Sequence, residues 1–531
     1  VKKMSRKLPA AALLLSALAC LAALGAGAQG RAQDAAAPRQ LTAQERRGRA
    51  IYLRGESPSG REIAAALGEL DVPATTVTCA GCHGARGEGK TEGGVTAGNL
   101  TWSHLLKPDG HTHPTGRKHG PFNESSFIRA VTAGVDPAGN NLLAAMPRYR
   151  MSAEDMADLI AYLKRIETDR DPGLTDAGVE VGVVLPSAGP LAETGESMRR
   201  VLAAVFEDLN ARGGVYNRKV TLRVFDAARA GAQQPEEQVF AYVGGISAGA
   251  DAELAALARA QEVPVVGPST LTPEAGTPPN RYVFYLLPGV VEQARALANF
   301  AASKPELKKT RAAVLYGDGA LAGAAAGAAE EQLKKAGWGA VTRQPFKQFG
   351  ADGAEAARRL RQEGFEAVFV FGVGGAEGAL VKGADAQGWT PRLFMLGVLD
   401  GRELLTTAPA AFKGRVFLAF PTAPSDVTPA GGAEFRALLE RHKVEARHTA
   451  AQLSAFAAAK VFVEGLGRAG RDLTRERLLT ALEGLYEFET GVTPRLTFGP
   501  NRRVGAAGAY VMTIDPEKRE FAPAGGWVRA Y

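Results

Sequence analysis

The run Cys79-Ala80-Gly81-Cys82-His83 constrains this chain more tightly than any other. Two thiols three positions apart can each form a thioether to a haem vinyl group, and the histidine directly after them is placed to ligate the iron. Without that histidine the same spacing would read as a thioredoxin-like redox pair or half of a zinc site. The chain has three cysteines in all, and the third, Cys20, lies in a segment expected to be removed. A four-cysteine zinc or iron–sulfur site is therefore excluded by count. The expectation is one covalently bound haem c, attached at Cys79 and Cys82, with His83 as an axial ligand.

The removable segment opens with Lys2, Lys3, Arg6 and Lys7, runs apolar from Leu8 to Leu24, and ends in small residues at Ala26-Gly27-Ala28. That order is the order of a secretory signal peptide, expected over residues 1–28, with an uncleaved membrane anchor as the alternative. Export to the periplasm agrees with c-type haem attachment and with a cysteine count that leaves no disulfide. The net charge of +7 falls to +3 once the four leader cations are removed. Such an excess is too mild to favour nucleic acid or an acidic membrane surface. His111, His113 and His119 lie near Arg117 and Lys118 in a stretch rich in Gly and Pro, which reads as a solvated surface loop ahead of a metal site.

A length of 531 residues accommodates several domains. The clearest break is Glu167-Thr168-Asp169-Arg170-Asp171-Pro172-Gly173, which places a linker over 168–177. Short helices and long loops precede it. After it, apolar strands such as Val179 to Leu185, Ala312 to Tyr316, Ala367 to Phe371 and Leu393 to Leu396 alternate with helices such as Glu196 to Ala211 and Ala320 to Ala336. Strands that are apolar throughout, with helices between them, predict an α/β body with parallel sheets.

In the first body, Ala43 to Arg54 reads as a helix in which Gly48 permits close approach and Ile51 and Tyr52 face inward. A second helix starts at Ser152, with Asp155 in a capping-box-like position and Met156, Leu159, Ile160 and Leu163 along one face. Three methionines compete to be the sixth iron ligand. Met156 belongs to that face, and Met151 stands opposite it as a hydrophobic staple. Met146 precedes Pro147 in a loop and has no such role, so Met146 is the expected second axial ligand, with a histidine such as His104 as the alternative. Two protein ligands leave the iron no open position, which points to single-electron exchange, and methionine sets a higher potential than a second histidine.

On the attachment run with Gly84, on Met146-Pro147 and on Ala161-Tyr162-Leu163, residues 43–167 resemble a class I monohaem cytochrome c. Two departures are the long stretch from Tyr52 to Cys79 and the histidine-rich insert near residue 111. A second resemblance rests on Val181-Gly182-Val183-Val184-Leu185-Pro186, Asn210-Ala211-Arg212-Gly213-Gly214-Val215, Val265-Val266-Gly267-Pro268-Ser269-Thr270 and Leu315-Tyr316-Gly317-Asp318. Through these, residues 178–531 resemble type I periplasmic-binding proteins, the receptors of ABC transporters for branched-chain amino acids and amides. The fold class implied is a small all-α cytochrome c domain followed by a two-lobed α/β periplasmic-binding fold. Its first lobe would take about 178–294 and 421–490, and its second about 295–420 and 491–531, with a three-stranded hinge and a small molecule held in the interlobe cleft.

Ligands of such folds sit at the carboxyl ends of parallel strands, where helix N-termini present free N–H groups. Ser247, Ser269 and Thr270 occupy such ends and are candidates for a ligand carboxylate, although each reads equally well as an ordinary helix cap. Asp400 is the candidate partner for an amine. Amino-acid receptors commonly place an aromatic residue in the first loop and a tyrosine in the first turn of the second lobe, where this chain has Leu191 and Leu321. Only Ala227 to Gln238 separates two successive strands, so one strand–helix unit reads as truncated. These departures point away from amino-acid binding in the usual manner.

The function expected is that of an exported c-type cytochrome transferring single electrons, fused to a small-molecule receptor that couples ligand to periplasmic redox traffic. Its partners would be a periplasmic dehydrogenase or another redox protein. The alternative is a solute receptor serving an ABC permease, with the cytochrome appended for docking or sensing. No nucleic-acid partner is expected. No Ser/His/Asp order, metal-ligand helix, phosphate-cradling loop or paired-carboxylate site stands out in the sequence, so the chain does not read as an enzyme.

Overall fold

The computed structural model describes residues 41–113, 115–229, 238–274, 276, 278–348, 352–373 and 375–531. The expected leader with Cys20, and most of the 227–238 connection, lie outside the described residues. The chain divides into two compact units between Asp169 and Arg170.

In the first unit, the helix Ala43–Arg54 begins where Thr42 and Glu45 close a capping box, each side chain accepting the other's backbone N–H. Its Gly48 lies against the helix Ala153–Leu163: a Cβ there would fall 1.9 Å from the Asp158 carbonyl oxygen. Ile51, Tyr52, Met156, Leu159, Ile160 and Leu163 meet in one core. Ser152 caps the second helix by accepting from Asp155 N–H, as the sequence indicates, but the Asp155 carboxylate takes the hydroxyls of Ser152 and Ser57. That ties the helix start to a loop about a hundred residues earlier. Strands β1 (Ala64–Leu67) and β2 (Leu70–Pro73) form a hairpin, as do β3 (Lys90–Glu92) with β4 (Val95–Ala97) and β5 (His111–Thr112) with β6 (Lys118–His119). Strand β7 (Arg148–Arg150) pairs with β1 and fixes the chain just after Met146.

The second unit contains two sheets. The first joins β8 (Gly178–Leu185), β9 (Lys219–Asp226), β10 (Ala241–Val243), β11 (Val265–Val266) and β12 (Val283–Phe284) in the order β12-β11-β10-β8-β9, all parallel. The second joins β13 (Arg311–Tyr316), β14 (Ala340–Pro345), β15 (Phe365–Phe371), β16 (Arg392–Leu396), β17 (Val416–Phe420), β18 (Gly508–Asp515) and β19 (Glu520–Arg529), ordered β14-β13-β15-β16-β17-β18-β19. Its first five strands are parallel, and β18 and β19 add antiparallel to that edge. Phe369, Phe394 and Phe417 stack across three neighbouring strands, with centroids 4.4 and 5.2 Å apart. Between β9 and β10 the described residues hold only one 3-10 turn, Ala227–Arg229.

Three expected boundaries need correction. The linker expected over 168–177 is divided between the units, and from Arg170 on it is built into the α/β unit: Leu174 joins the first-lobe core, and the buried Asp171 carboxylate accepts the Arg475 N–H at 2.6 Å. The chain enters the second lobe near Val290, ahead of the expected 294, because Val290 and Ala294 already pack in the second core. Residues 492–506, expected in the second lobe, belong to the first, since Val492, Leu496, Phe498 and Ala506 pack there. The cause is pairing that composition does not announce: Phe488 bridges Leu496, and Tyr285 bridges Val504 in parallel. Three hydrogen bonds tie those last two segments: Tyr285 N–H to Arg503 O, Gly505 N–H to Tyr285 O and Ala506 N–H to Leu286 O, at 2.8, 2.8 and 3.0 Å.

Candidate functional site

In the first unit Cys79, Cys82, His83 and Met146 line a single cavity of about 360 Å³. The two cysteines and His83 lie on one turn of helix, Cys79–His83, started by Thr78, whose hydroxyl accepts the Gly81 N–H. The turn ends at Gly84 with φ of 81°, a left-handed geometry that suits glycine. Tyr52, on the first helix, donates its hydroxyl to the Gly84 carbonyl at 2.7 Å and locks that turn against the core. His83 is buried, and its Nδ1 donates to the Gly98 carbonyl at 2.6 Å. That bond fixes the tautomer and leaves the Nε2 lone pair for a metal. Burial also lowers the His83 pKa, against the opposing pull of the Gly98 carbonyl, which keeps the ring neutral as a ligand must be. Cys79 is pushed up to about 12 by burial, so its sulfur is held as a thiol.

Met146 alone of the three candidate methionines lines the cavity. Met156 is buried in the core and Met151 packs against it. The Met146 loop is held by Arg148, whose guanidinium donates to the carbonyls of Met146, Leu142 and Leu143. Leu, Val, Ala and Phe side chains form most of the remaining wall. Thiols beside an oriented imidazole, a thioether on the same cavity and apolar walls fit a covalently bound haem c.

The reading of His111, His113 and His119 as a solvated surface loop is corrected. His119 is 7% exposed, and all three line this cavity together with His104. The β5–β6 hairpin brings them there, pairing His111 with His119. Ring centroids are 4.6 Å apart for His104 and His111, 5.0 Å for His111 and His119, and 5.1 Å for His113 and His119. The sequence shows four histidines within sixteen positions, but strand register alone decides that they converge. Among the described residues no group of three or more His, Cys, Asp or Glu side chains is arranged to hold a metal ion.

The α/β candidates are placed differently. Ser247 is buried and its hydroxyl donates to the Asp251 carboxylate at 2.6 Å, while Ser269 shares a hydrogen bond with Ser454 at 2.9 Å. Thr270 accepts the Thr272 N–H in a local turn. A bridge between Ile246 and Ser269 brings the two serine loops together, whereas Asp400 lies in the second lobe against Glu377. Burial first, then Glu377, raises Asp400 to about 8. Glu377 is itself fixed by the N–H groups of Val373 and Gly375. None of the four residues lines a cavity of about 1130 Å³ in the same unit, which is walled in part by Asp426, Arg502, Arg503, Tyr510, Trp527 and Arg529. Sequence reasoning missed that cavity, since its residues are gathered by the return of the chain after residue 490.

Residues 178–520 match the family described as periplasmic binding protein, and residues 71–167 match cytochrome c. A Leu/Ile/Val-binding protein of Rhizobium johnstonii is 23% identical over 339 residues, which cover 61% of this chain and 89% of that relative. Among solved structures, a putative branched-chain amino acid ABC transporter protein from Rhodospirillum rubrum superposes with a TM-score of 0.52 at 18% identity, covering 65% of this chain and 99% of that one. A fatty acid ABC transporter substrate-binding protein from Thermomonospora curvata gives 0.51 at 18% identity, covering 68% and 95%. At such identities the structures establish the fold alone. Among the described residues no helix is long and apolar enough to cross a membrane.

Proposed function

The chain belongs to the periplasmic binding protein family and carries a cytochrome c domain ahead of that fold, and on this premise we propose that it is an exported one-electron carrier joined to a small-molecule receptor. The observation that carries the reading is the meeting of Cys79, Cys82, His83 and Met146 on one cavity. Cys79 and Cys82 would hold one haem c covalently, which supplies a one-electron iron couple when bound. His83, oriented by Gly98, and Met146, held by the Arg148 clamp, would fill both axial positions and so exclude water and oxygen from the metal. The receptor then sets which molecule in the periplasm influences electron flow, with a dehydrogenase as the donor.

Solute delivery to an ABC permease is the second reading, favoured by the Leu/Ile/Val-binding relative. The hydroxyls of Ser247 and Thr270 are engaged within their own loops, and Leu191 and Leu321 stand where amino-acid receptors place aromatic residues. These features support a ligand other than an α-amino acid held in the usual way. The test of the electron-carrier reading is the Met146→Ala variant of the haem-loaded chain. It should lose the methionine-to-iron charge-transfer band and show a lower potential; an unchanged band would sink the axial assignment.

A further inference from the structure

Among the described residues Asp136 is the most deeply buried carboxylate, with no exposure at all. It lies between the helix Glu124–Ala133 and Met146. A charge held away from water is costly unless donors surround it, and here they do. Its Oδ1 accepts the backbone N–H groups of Ala138 and Asn140, both at 2.9 Å. Its Oδ2 accepts Arg117 Nη1 at 2.6 Å and Asn140 Nδ2 at 3.0 Å. Burial opposes ionisation, but the donors of Asn140 and Arg117 outweigh it and hold Asp136 below its ordinary value.

These bonds fasten two stretches of the cavity wall to each other. The first is the β5–β6 hairpin: Arg117 belongs to its turn, and Asn140 Nδ2 also donates to the Lys118 carbonyl at 3.0 Å. The second is the Met146 loop. Asp136 N–H donates to the Asn140 carbonyl at 3.0 Å, Val135 bridges Asn141, and Leu142 N–H donates to the Gly134 carbonyl at 2.8 Å. The segment therefore closes into a ring that releases the chain at Leu142. From there Leu142, Leu143, Ala145 and Met146 line the cavity. The ring also abuts the Arg148 clamp, since a Cβ on Gly134 would fall 1.8 Å from Arg148 Nε. A thioether is an uncharged donor, so its hold on a metal depends on how firmly its loop is placed.

We propose that Asp136 is a positioning residue: by locking the Met146 loop to the β5–β6 hairpin, it keeps the thioether in its axial place through oxidation and reduction. This rests on the reading of Met146 as an axial ligand. Asp136 does not itself line the cavity, so it acts only through the loop. Asparagine cannot take over the task. An amide has one acceptor oxygen, and its NH2 would face either the Ala138 and Asn140 N–H groups or the Arg117 guanidinium, donor against donor. The ring opens on that side, and the chain leading to Met146 loses its anchor.

The experiment is an imidazole titration of the oxidised, haem-loaded full chain, followed by the shift of the haem absorption bands. Covalent haem must first be found, and Met146→Ala must remove the methionine-to-iron charge-transfer band. Failure of either defeats the haem or the axial reading, not the role of Asp136. With both in place, Asp136→Asn should bind imidazole about tenfold more tightly than wild type, the lower end of what losing a ligand's supporting partner costs a metal site. Gly48→Ala, which strains a helix contact elsewhere in the first unit, should keep the wild-type affinity for imidazole. If Asp136→Asn does not fold, Arg117→Gln removes one arm, leaves the carboxylate in place and should shift the affinity in the same direction. An unchanged affinity in these variants, or an equal gain in Gly48→Ala, would overturn the proposal.

Discussion

At Asp400 a buried carboxyl is placed beside a second carboxyl, that of Glu377, which accepts two backbone N–H groups. Burial foremost, and then Glu377, raises Asp400, which keeps its proton up to about pH 8. The unfolded chain releases that proton near pH 4. A raised folded value favours folding fully below pH 4, and that contribution is lost as pH rises to 8, at up to about 1.4 kcal/mol per unit. Asp400→Asn should therefore flatten the stability of the second lobe across that window and make the variant the more stable form at pH 8. Denaturant midpoints measured at pH 5 and pH 8 check it; an unchanged difference would place the proton elsewhere. The sequence named Asp400 for its charge. It could not show that burial, with Glu377 from twenty-three positions earlier set beside it, turns it from an anion for an amine into a neutral acid.

Among the elements, the contact between Ala43–Arg54 and Ala153–Leu163 was the most legible. The Gly48 signal, the cap at Ser152 and the apolar stripe all lie within single helices, where spacing of three and four positions carries the information. The β5–β6 hairpin was not legible, because polar residues and glycines at a two-residue strand give no alternating pattern. The same holds for the return of residues 492–506 into the first lobe, which is set by isolated bridges rather than by strands of readable length. Gly48→Ala tests the legible contact. Its methyl group would meet the Asp158 backbone and the Tyr162 Cβ, 1.9 and 2.8 Å away. Backbone cannot yield as a flexible side chain does, so the helices must part, at a cost of about 3 kcal/mol. Urea unfolding of the haem-loaded chain should show an earlier transition of the first unit; an unchanged midpoint would mean that the helices do not meet there.

For the whole molecule, the cores keep separate membership: the first unit draws on Ile51 to Ile166, and the α/β unit on Leu174 onward. Both families were legible, one from five consecutive residues and the other from a dispersed set of strand and turn motifs. Coupling between them is not legible, because no residue type announces it. If the receptor governs electron flow, a ligand found by thermal-shift screening should change the rate at which a purified dehydrogenase reduces the haem-loaded chain. Equal rates with and without ligand would leave two activities that merely share a chain.

The pairing of Tyr285–Leu286 with Arg503–Ala506 has a mechanical meaning. Both segments lie in the first lobe, and each leaves it within a few residues for the second-lobe core, at Val290 and at Ala509, so the three backbone hydrogen bonds hold these two crossings side by side where they depart. Crossings held side by side resist sliding and permit rotation, so closure of the lobes would swing the two sheets like the covers of a book about its spine. Points near a spine hardly travel, and points at the fore-edge travel furthest. The size of molecule that can be enclosed is accordingly judged at the outer rim of the lobes, and substitutions there should alter ligand selection more than substitutions beside Tyr285.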